Sequence, residues 1–382
     1  MNEIDDSCLY YDVKNKGYGG IGVKLVVADT KEQRKKFLKF RKALYKSNAV
    51  YIDNNTFMIK EVFAGKMAIL EKMEVNALYV EENNDILCET IVIYTKEMPE
   101  YIQVCMFEAL ENCRAAVDLM IDEITEIGRE KGCRKIGIGL YGHINYGLGI
   151  LNSNFNGLNS FSAPGNPKYY NQYFEDMGFD KVLLNTYCID RMDDRMQKYE
   201  RVIKKIESNY TVRIFDRKSY DEMAKVYTDL NNLCFANHKY YYHREYAEDK
   251  EMLDELMLFV NFDSFIFIYK DDKPIAFMMW YPDYNELAKP GEIFGVKHWL
   301  KYKLGKKTFK NGKVMEYGVL DEYRGRGIPL AMIHQAMKQA EKYKCTGVVT
   351  SWVLAGNADS ESFCEGICDR KHDEYAVFEK DI

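Results

Sequence analysis

The sequence predicts an α/β (α+β) protein made of two consecutive domains, each with a mixed, mostly antiparallel central sheet flanked by helices. Length is the first observation, because 382 residues exceed what one ordinary hydrophobic core organises. Composition is the second, since 47% hydrophobic residues can fill two cores. The third is a weak internal repeat, in which the same order of predicted elements occurs twice. We place the domain boundary after residue 192, which gives domains 1–192 and 193–382.

Each half begins with a predicted strand, at residues 23–27 and 211–215, and a helix follows each strand. A Ser or Thr three residues before a Gln or Glu is the pattern of a capping box, which satisfies free N–H groups of the first helical turn. The pattern occurs at the start of both helices, as Thr30 with Gln33 and as Ser219 with Glu222.

The remaining predicted elements are a hairpin, an amphipathic helix, a short strand, a second helix and a last strand. In the first half they are expected at residues 77–94, 117–127, 135–140, 168–177 and 181–189. In the second half they are expected at residues 265–281, 330–340, 348–354, 358–367 and 374–378. The charged stretch 193–207 is expected to connect the halves, and residues 141–167, rich in glycine and asparagine, are expected to form a loop.

A basic, glycine-bearing turn is predicted between the apolar strand 314–320 and the helix that follows. Its sequence is Asp321-Glu322-Tyr323-Arg324-Gly325-Arg326-Gly327-Ile328-Pro329. Glycine permits positive φ and leaves room for a phosphate. The N–H groups of such a turn and of a helix N-terminus attract anions. We therefore predict an anion site on this turn, although a basic helix cap without a ligand is the alternative.

The spacing Arg324-x-x-Gly327-x-Pro329 resembles the Gln/Arg-x-x-Gly-x-Gly/Ala signature of the GNAT superfamily of acyl-CoA-dependent N-acyltransferases, whose loop binds the pyrophosphate of coenzyme A. Pro329 departs from the signature, because it replaces a small residue and lacks an N–H group. The element order of both halves resembles the GNAT arrangement, and the whole chain is similar to bacterial two-domain GNAT proteins. The resemblance implies tandem GNAT-like domains, acetyl-CoA as co-substrate, and the cofactor-binding residues Tyr317, Val319, Leu320, Arg324, Gly325, Arg326, Gly327, Ile328, Pro329, Leu330 and Asn357.

The N-terminal half offers no equivalent of this turn. The segment between Pro99 and Asn112, where it would be expected, has no basic glycine turn, and Glu108 and Glu111 would repel a phosphate. We therefore expect a degenerate N-terminal GNAT-like domain without a cofactor loop.

Acyl transfer from a thioester to an amine needs a base for the amine and a proton for the leaving thiolate. The resemblance implies that Glu316 is the base; an ion pair with Arg or Lys at the sheet surface is the alternative. It also implies that Asn357 contacts the pantetheine arm, which is compatible with a role as helix cap. Phe363 replaces the usual tyrosine acid of the family. The proton would then come from another group, such as Tyr375 or His372, or from solvent.

The acceptor pocket is expected to include Tyr241 and Tyr242, which lie in the aromatic run 237–244 of an early helical region. Tyrosines half-buried on a helix are the structural alternative. His143 could project into a cleft from the glycine-rich loop, or it could be a satisfied structural group.

Charge and composition exclude several classes of protein. A net charge of −6 argues against nucleic-acid binding, and no apolar run approaches the length of a membrane span. The ten cysteines form no Cys-x-x-Cys pair, so we expect reduced thiols and no metal site. The acidic start, Met1 to Asp6, is unlike a secretory signal, and we expect a cytoplasmic protein.

The leading functional hypothesis is an N-acetyltransferase that modifies a small-molecule or peptide amine. A non-catalytic acyl-CoA-binding or sensing protein is the alternative, favoured by Phe363 and Pro329. A third hypothesis is an aminoacyl or acyl transferase related to tandem GNAT enzymes that modify peptides. The acceptor, the acyl length and the oligomeric state, including a homodimer, stay open.

Overall fold

The computed structural model describes residues 22–47, 50–305 and 308–382. Its strands are β1 (Val23–Val27), β2 (Met73–Glu82), β3 (Asp85–Thr95), β4 (Tyr101–Ala109), β5 (Lys135–Ile138), β6 (Ile150–Leu151), β7 (Asp180–Ile189), β8 (Thr211–Arg213), β9 (Phe265–Lys270), β10 (Lys273–Pro282), β11 (Asn311–Val319), β12 (Gly347–Thr350), β13 (Val353–Leu354) and β14 (Arg370–Asp381). Its helices are α1 (Lys31–Ser47), α2 (Thr56–Ala64), α3 (Arg114–Glu130), α4 (Tyr169–Asp176), α5 (Met192–Met196), α6 (Glu200–Asn209), α7 (Tyr220–Phe235), α8 (Tyr246–Leu256), α9 (Val296–Leu304), α10 (Ile328–Ala340) and α11 (Ala358–Ile367). The predicted fold class, mixed α/β with a mostly antiparallel sheet, is confirmed.

A single sheet runs through both halves of the chain. Its order is β1-β2-β3-β4-β5-β14-β7-β12-β11-β10-β9-β8, with β6 on β14 and β13 on β7. Among the described strands only the pairs β4–β5 and β11–β12 are parallel. The two parallel pairs occupy corresponding positions in the two halves, as expected from the sequence repeat.

The two halves exchange their last strands at the centre of the sheet. β14, the last strand of the second half, lies between β5 and β7. β7, the last strand of the first half, lies between β14 and β12. The middle of β14, Tyr375 to Phe378, is almost completely buried, as expected for a central strand covered on both faces. Neither half therefore completes its sheet with its own residues alone.

The first predicted capping box is confirmed and the second is wrong. Thr30 Oγ1 accepts the N–H of Gln33 at 3.2 Å, and the N–H of Thr30 donates to Gln33 Oε1 at 2.9 Å. In the second half Asp216 is the cap, because its carboxylate accepts the N–H groups of Lys218 and Ser219 at 2.9 and 3.1 Å. Glu222 takes no part in this cap and instead forms an ion pair with Arg213 at 2.8 Å.

Other predicted elements shift where tertiary contacts override the local pattern. The strand expected at 348–354 is interrupted between β12 and β13, since β13 turns away to pair with β7. The aromatic run 237–244 is a loop, which corrects the helical assignment. The sequence reading missed α2, α8 and α9. Residues 1–6, on which the signal-peptide argument rests, lie outside the described residues. No helix in the described ranges is long and apolar enough to cross a membrane.

A buried ionic cluster joins the two halves. Arg41 contacts Asp53 at 3.1 Å and Glu108 at 2.9 Å, and all three side chains are at most 5% exposed. The backbone of Asp53 pairs with the segment before α9, accepting the N–H of Phe294 at 2.8 Å and donating to Glu292 O at 3.0 Å. Glu108 therefore pairs internally with Arg41, which corrects the expectation that it repels phosphate from a surface loop. Burial raises the pKa of Glu108 to about 7 despite the nearby guanidinium.

Replacing Arg41 by Met is expected to lower the free energy of unfolding by about 3–5 kcal/mol, because removing one partner leaves buried carboxylates uncompensated. Urea unfolding followed by circular dichroism measures the change. Lys42→Met, an exposed change on the same helix, is the control and is expected to shift stability by less than about 0.5 kcal/mol. Equal effects of the two substitutions would contradict a structural role for the cluster.

Candidate functional site

A cleft opens where the parallel strands β11 and β12 separate. They pair from Asn311 with Gly347 to Val314 with Thr350. Beyond that point β11 continues to Val319, whereas β13 pairs with β7. A β-bulge places Met315 as an extra residue opposite β10. The β12-facing edge of β11 beyond Val314 consequently has no partner strand in the described parts of the chain, and its backbone groups can bind an extended ligand.

A cavity of about 350 Å³ occupies this cleft and extends between the two halves. The strand walls and α11 contribute Val314, Met315, Glu316, Tyr317, Thr350, Ser351, Trp352, Val353, Leu354, Asn357, Ser360 and Cys364. The first half contributes a second wall that includes Phe57, Met58, Tyr146 and Phe161, and α7 and α8 contribute a third that includes Tyr227, Met252 and Glu255. Its size is typical of a small-molecule site.

The basic turn after β11 has the geometry of an anion site. Gly325 and Gly327 have φ of 70° and 76°, and α10 begins at Ile328 with Pro329 as its second residue. The N–H of Arg324 donates to Asp321 O and that of Leu330 to Gly327 O. The N–H groups of residues 325–328 donate to no acceptor within the described ranges. Four of the amides predicted to hold the pyrophosphate are therefore available, while those of Arg324 and Leu330 are engaged.

The side chain of Arg324 fixes the turn to its surroundings. Its Nε lies 3.4 Å from Val319 O and its Nη2 lies 3.3 Å from Cys234 O at the end of α7. A Cβ on Gly327 would approach Ile206 of α6 at 3.2 Å. Arg324 thus holds the turn in place. Position 327 favours glycine for two reasons, its positive φ and the closeness of Ile206.

Glu316 lies in the wall of the cavity. Its carboxylate accepts hydrogen bonds from the Tyr227 hydroxyl and, at 3.0 Å, from Asn231 Nδ2, both on α7. Burial raises the pKa of Glu316 to about 7, although these two hydrogen bonds lower it. The carboxylate is therefore held by two neutral side chains. With the described residues it does not form the surface ion pair with Arg or Lys that was the alternative. A carboxyl with this pKa can exchange a proton near neutral pH.

Tyr317 lies beside Phe363. It is among the residues that line the cavity, and the rings of Tyr317 and Phe363 lie 6.1 Å apart. Tyr375 packs behind Trp352 at 6.2 Å. Neither Tyr375 nor His372 is among the residues that line the cavity. The sequence analysis assigned Tyr317 only a backbone role. Side chains alternate between the two faces of a strand, so Met315 and Tyr317, two residues apart, could have been expected on the same face.

Asn357 is both a cap and a cavity residue. Its Oδ1 accepts the N–H of Ser360 at 3.4 Å at the start of α11, and it lines the cavity. Val319 and Leu320 are buried and lie outside the cavity wall. Any contribution of Val319 and Leu320 to ligand binding would therefore come from the backbone.

The two tyrosines expected in the acceptor pocket lie elsewhere. The Tyr241 hydroxyl donates to Asn232 Oδ1 at 2.6 Å, and Tyr242 packs against His143. His143 is buried, with Nε2 at 3.1 Å from Tyr242 O, and burial together with the charge of Arg244 keeps its pKa well below the usual range. These three residues form a structural cluster. His238, which lies in the same loop as Tyr241 and Tyr242, lines the cavity.

The model of the acetyltransferase (GNAT) family matches residues 224–367. The matched part of the chain is thus similar in sequence to the GNAT family. The match covers the cleft, the basic turn and α11, so it coincides with the site described above. A search of curated proteins found no significant match.

Solved structures extend the GNAT fold to both halves. A tandem GNAT protein from the clavulanic acid biosynthesis pathway matches with a TM-score of 0.55 and 10% identity over 94% of this chain and 98% of its own. A GCN5-related N-acetyltransferase from Sphaerobacter thermophilus matches with a TM-score of 0.51 and 11% identity over 94% and 95%. The GCN5-related glucosamine N-acetyltransferase region of a fungal β-N-acetylglucosaminidase matches with a TM-score of 0.59 and 13% identity over 96% and 39%. At these identities the likeness establishes the fold alone, which is that of tandem GNAT proteins.

The described residues hold no group of His, Cys, Asp and Glu side chains arranged to bind a metal ion. The cysteines in those residues are all free, and most are buried.

Proposed function

We propose that the protein is an N-acetyltransferase that moves an acetyl group from acetyl-CoA to a primary amine bound in the cavity between its halves. The observation that carries the proposal is the arrangement along β11. The strand bears Glu316 in the cavity wall and continues with an edge that pairs with no strand of the described ranges. It leads directly into the turn, where four amides have no acceptor in those ranges. These features support a base, an extended binding edge and a diphosphate site in series.

In this proposal the amides of residues 325–328 bind the pyrophosphate, and the β11 edge aligns the pantetheine arm toward Glu316. The partial positive charge at the N-terminus of α10 adds to the attraction. The domain boundary after residue 192 and the absence of a cofactor loop from the first half are parts of the same proposal.

The chemistry removes two protons from the acceptor nitrogen and returns one to the leaving thiolate. Glu316 takes the first proton from the ammonium group of the acceptor, directly or through water. The amine nitrogen then forms the new bond to the thioester carbonyl carbon. The second proton of the nitrogen passes to solvent as the carbon–sulfur bond breaks. We assign the return of a proton to the thiolate to the hydroxyl of Tyr317, because it lies in the cleft beside the apolar ring of Phe363. Burial raises the pKa of Tyr317, so the hydroxyl keeps its proton until the thiolate forms.

A non-catalytic acyl-CoA-binding protein is the second candidate, favoured by Phe363 and Pro329. Both candidates bind acetyl-CoA, but only the enzyme releases thiol when an amine is supplied. Thiol release is therefore the measurement that separates them.

Gly327→Val is expected to weaken CoA binding at least about tenfold, equivalent to about 1.4 kcal/mol, because valine disfavours the positive φ and would press on Ile206. Isothermal titration calorimetry with CoA measures the affinity. Gly366→Ala is the control, since this glycine lies in α11 with open space around its Cα. Unchanged affinity in Gly327→Val, with an intact circular dichroism spectrum, would remove the diphosphate site from the turn.

Glu316→Gln is expected to lower kcat by about 10²–10⁴-fold, the usual worth of a general base. In the wild type the deprotonated carboxylate is the active form, so the rate should rise with pH up to about 7 and then level off. This rise should disappear in the variant. Glu222→Gln, an exposed change on α7, is the control. A normal rate and pH profile in Glu316→Gln would dispose of the base.

Tyr317→Phe is expected to lower kcat by about 10²-fold or more, the lower range for a general acid. The loss should shrink when the acetyl donor is a thioester of a more acidic thiol, because that thiolate leaves without a proton. Tyr241→Phe, outside the cavity, serves as the matched control. A loss of equal size with both donors would assign Tyr317 a packing role.

A further inference from the structure

The charges in the cavity wall have one sign. Besides Glu316, the wall contains a second carboxylate, Glu255 of α8, and no Lys or Arg from the described ranges lines it. Glu316 is already assigned to the transfer step. Glu255 has no role in the chemistry proposed above.

The carboxylate of Glu255 lacks a counter-charge. It forms no hydrogen bond or ion pair with any residue in the described ranges, and Glu255 lines the cavity while remaining exposed to solvent. Burial, followed by the negative charges of Glu61 and Glu251, raises its pKa to about 6. Two basic residues at α8 have other partners, since Lys72 contacts Glu248 at 2.9 Å and Lys250 contacts Asp254 at 2.8 Å. This end of the cavity therefore has an unneutralised negative charge that a cation would relieve.

Much of the rest of the wall is apolar and aromatic, although Asn, Ser and Thr residues also line the cavity. The apolar and aromatic part includes Phe57, Met58, Phe161, Met252, Leu256 and Phe259. Such a surface accommodates methylene groups. Aromatic faces also attract cations. An amine that carries a carboxylate would find no cation in the wall and two negative charges.

We propose that the acceptor is a diamine or polyamine whose nitrogens are separated by an apolar spacer. One nitrogen reacts beside Glu316, while a second stays protonated next to Glu255. The inference rests on the proposed transferase function and assigns its substrate class. In the transfer the reacting nitrogen gives one proton to Glu316 and a second to solvent, and it gains the acetyl group. The carbon–sulfur bond breaks, and the thiolate takes a proton from Tyr317 and leaves as the thiol. The second nitrogen keeps its proton throughout and contributes only binding.

Three amines of equal length test the proposal: hexamethylenediamine, hexylamine and ε-aminocaproate. Thiol release from acetyl-CoA is measured for each. The diamine is expected to have a kcat/KM at least about tenfold above that of hexylamine, in line with the worth of a charged contact. The aminocaproate is expected to be the poorest substrate. Equal kcat/KM for the diamine and hexylamine would overturn the proposal.

Glu255→Gln separates binding of the second nitrogen from the chemistry. It is expected to raise KM for the diamine about tenfold, the size expected for loss of one charged contact, with kcat and the constants for hexylamine unchanged. Asp254→Asn, at the exposed neighbouring acid paired with Lys250, is the control and should change neither. A similar effect of Glu255→Gln on both amines would assign Glu255 a structural role and contradict the proposal.

Calorimetry keeps the substrate class testable if the transferase function fails. Absence of thiol release with every amine would refute the proposed function. Tighter binding of hexamethylenediamine than of hexylamine, lost in Glu255→Gln, would still support the diamine site. Equal binding of the two amines would overturn it.

Discussion

The exchange of β7 and β14 is the constraint on which the site depends. β7 pairs with both β12 and β13, so it draws the chain after Thr350 away from β11. The cleft is the space left between these diverging strands. β7 belongs to the first half, and it pairs with β14 and β12 of the second half. The opening is therefore fixed by strand pairing between the halves and does not rely on loop conformation. The cavity also receives a wall residue, Leu184, directly from β7.

The first half has the same parallel strand pair but its space is filled. β4 and β5 pair from Tyr101 to Val104 and then separate. Beyond that point the Tyr170 hydroxyl bonds to Glu108 at 2.8 Å and accepts the N–H of Ala109 at 2.8 Å, while Arg41 reaches Met106 O at 3.2 Å. Side chains thus bind the backbone groups of β4 that a ligand would otherwise use. The first half contributes instead a wall of the cavity, through Phe57 and Tyr146.

The parts of the fold that follow from local chemistry could be predicted from the sequence. The strand–turn–helix around Gly327 follows from backbone conformation, and the Thr30 cap from side-chain reach. The strand exchange could not, because its pairs join residues such as Phe378 and Ile138 and leave no local signal. α2 and α8 were missed because their short apolar stripes face a cavity that only the assembled halves create. Their residues Phe57 and Glu255 were missed with them. Tyr241 and Tyr242 were misplaced because a run of aromatic residues does not show which surface it packs against.

The central position of β14 also determines the order in which the protein can be completed. It follows every other described element along the chain, yet it fills the middle of the sheet. During synthesis the first half emerges early and presents the unpaired edges of β5 and β7 until β14 leaves the ribosome. Unpaired edges invite pairing with other chains, so the nascent chain passes through an interval in which such pairing competes with folding. Late completion of the sheet is thus a consequence of the same topology that opens the cleft.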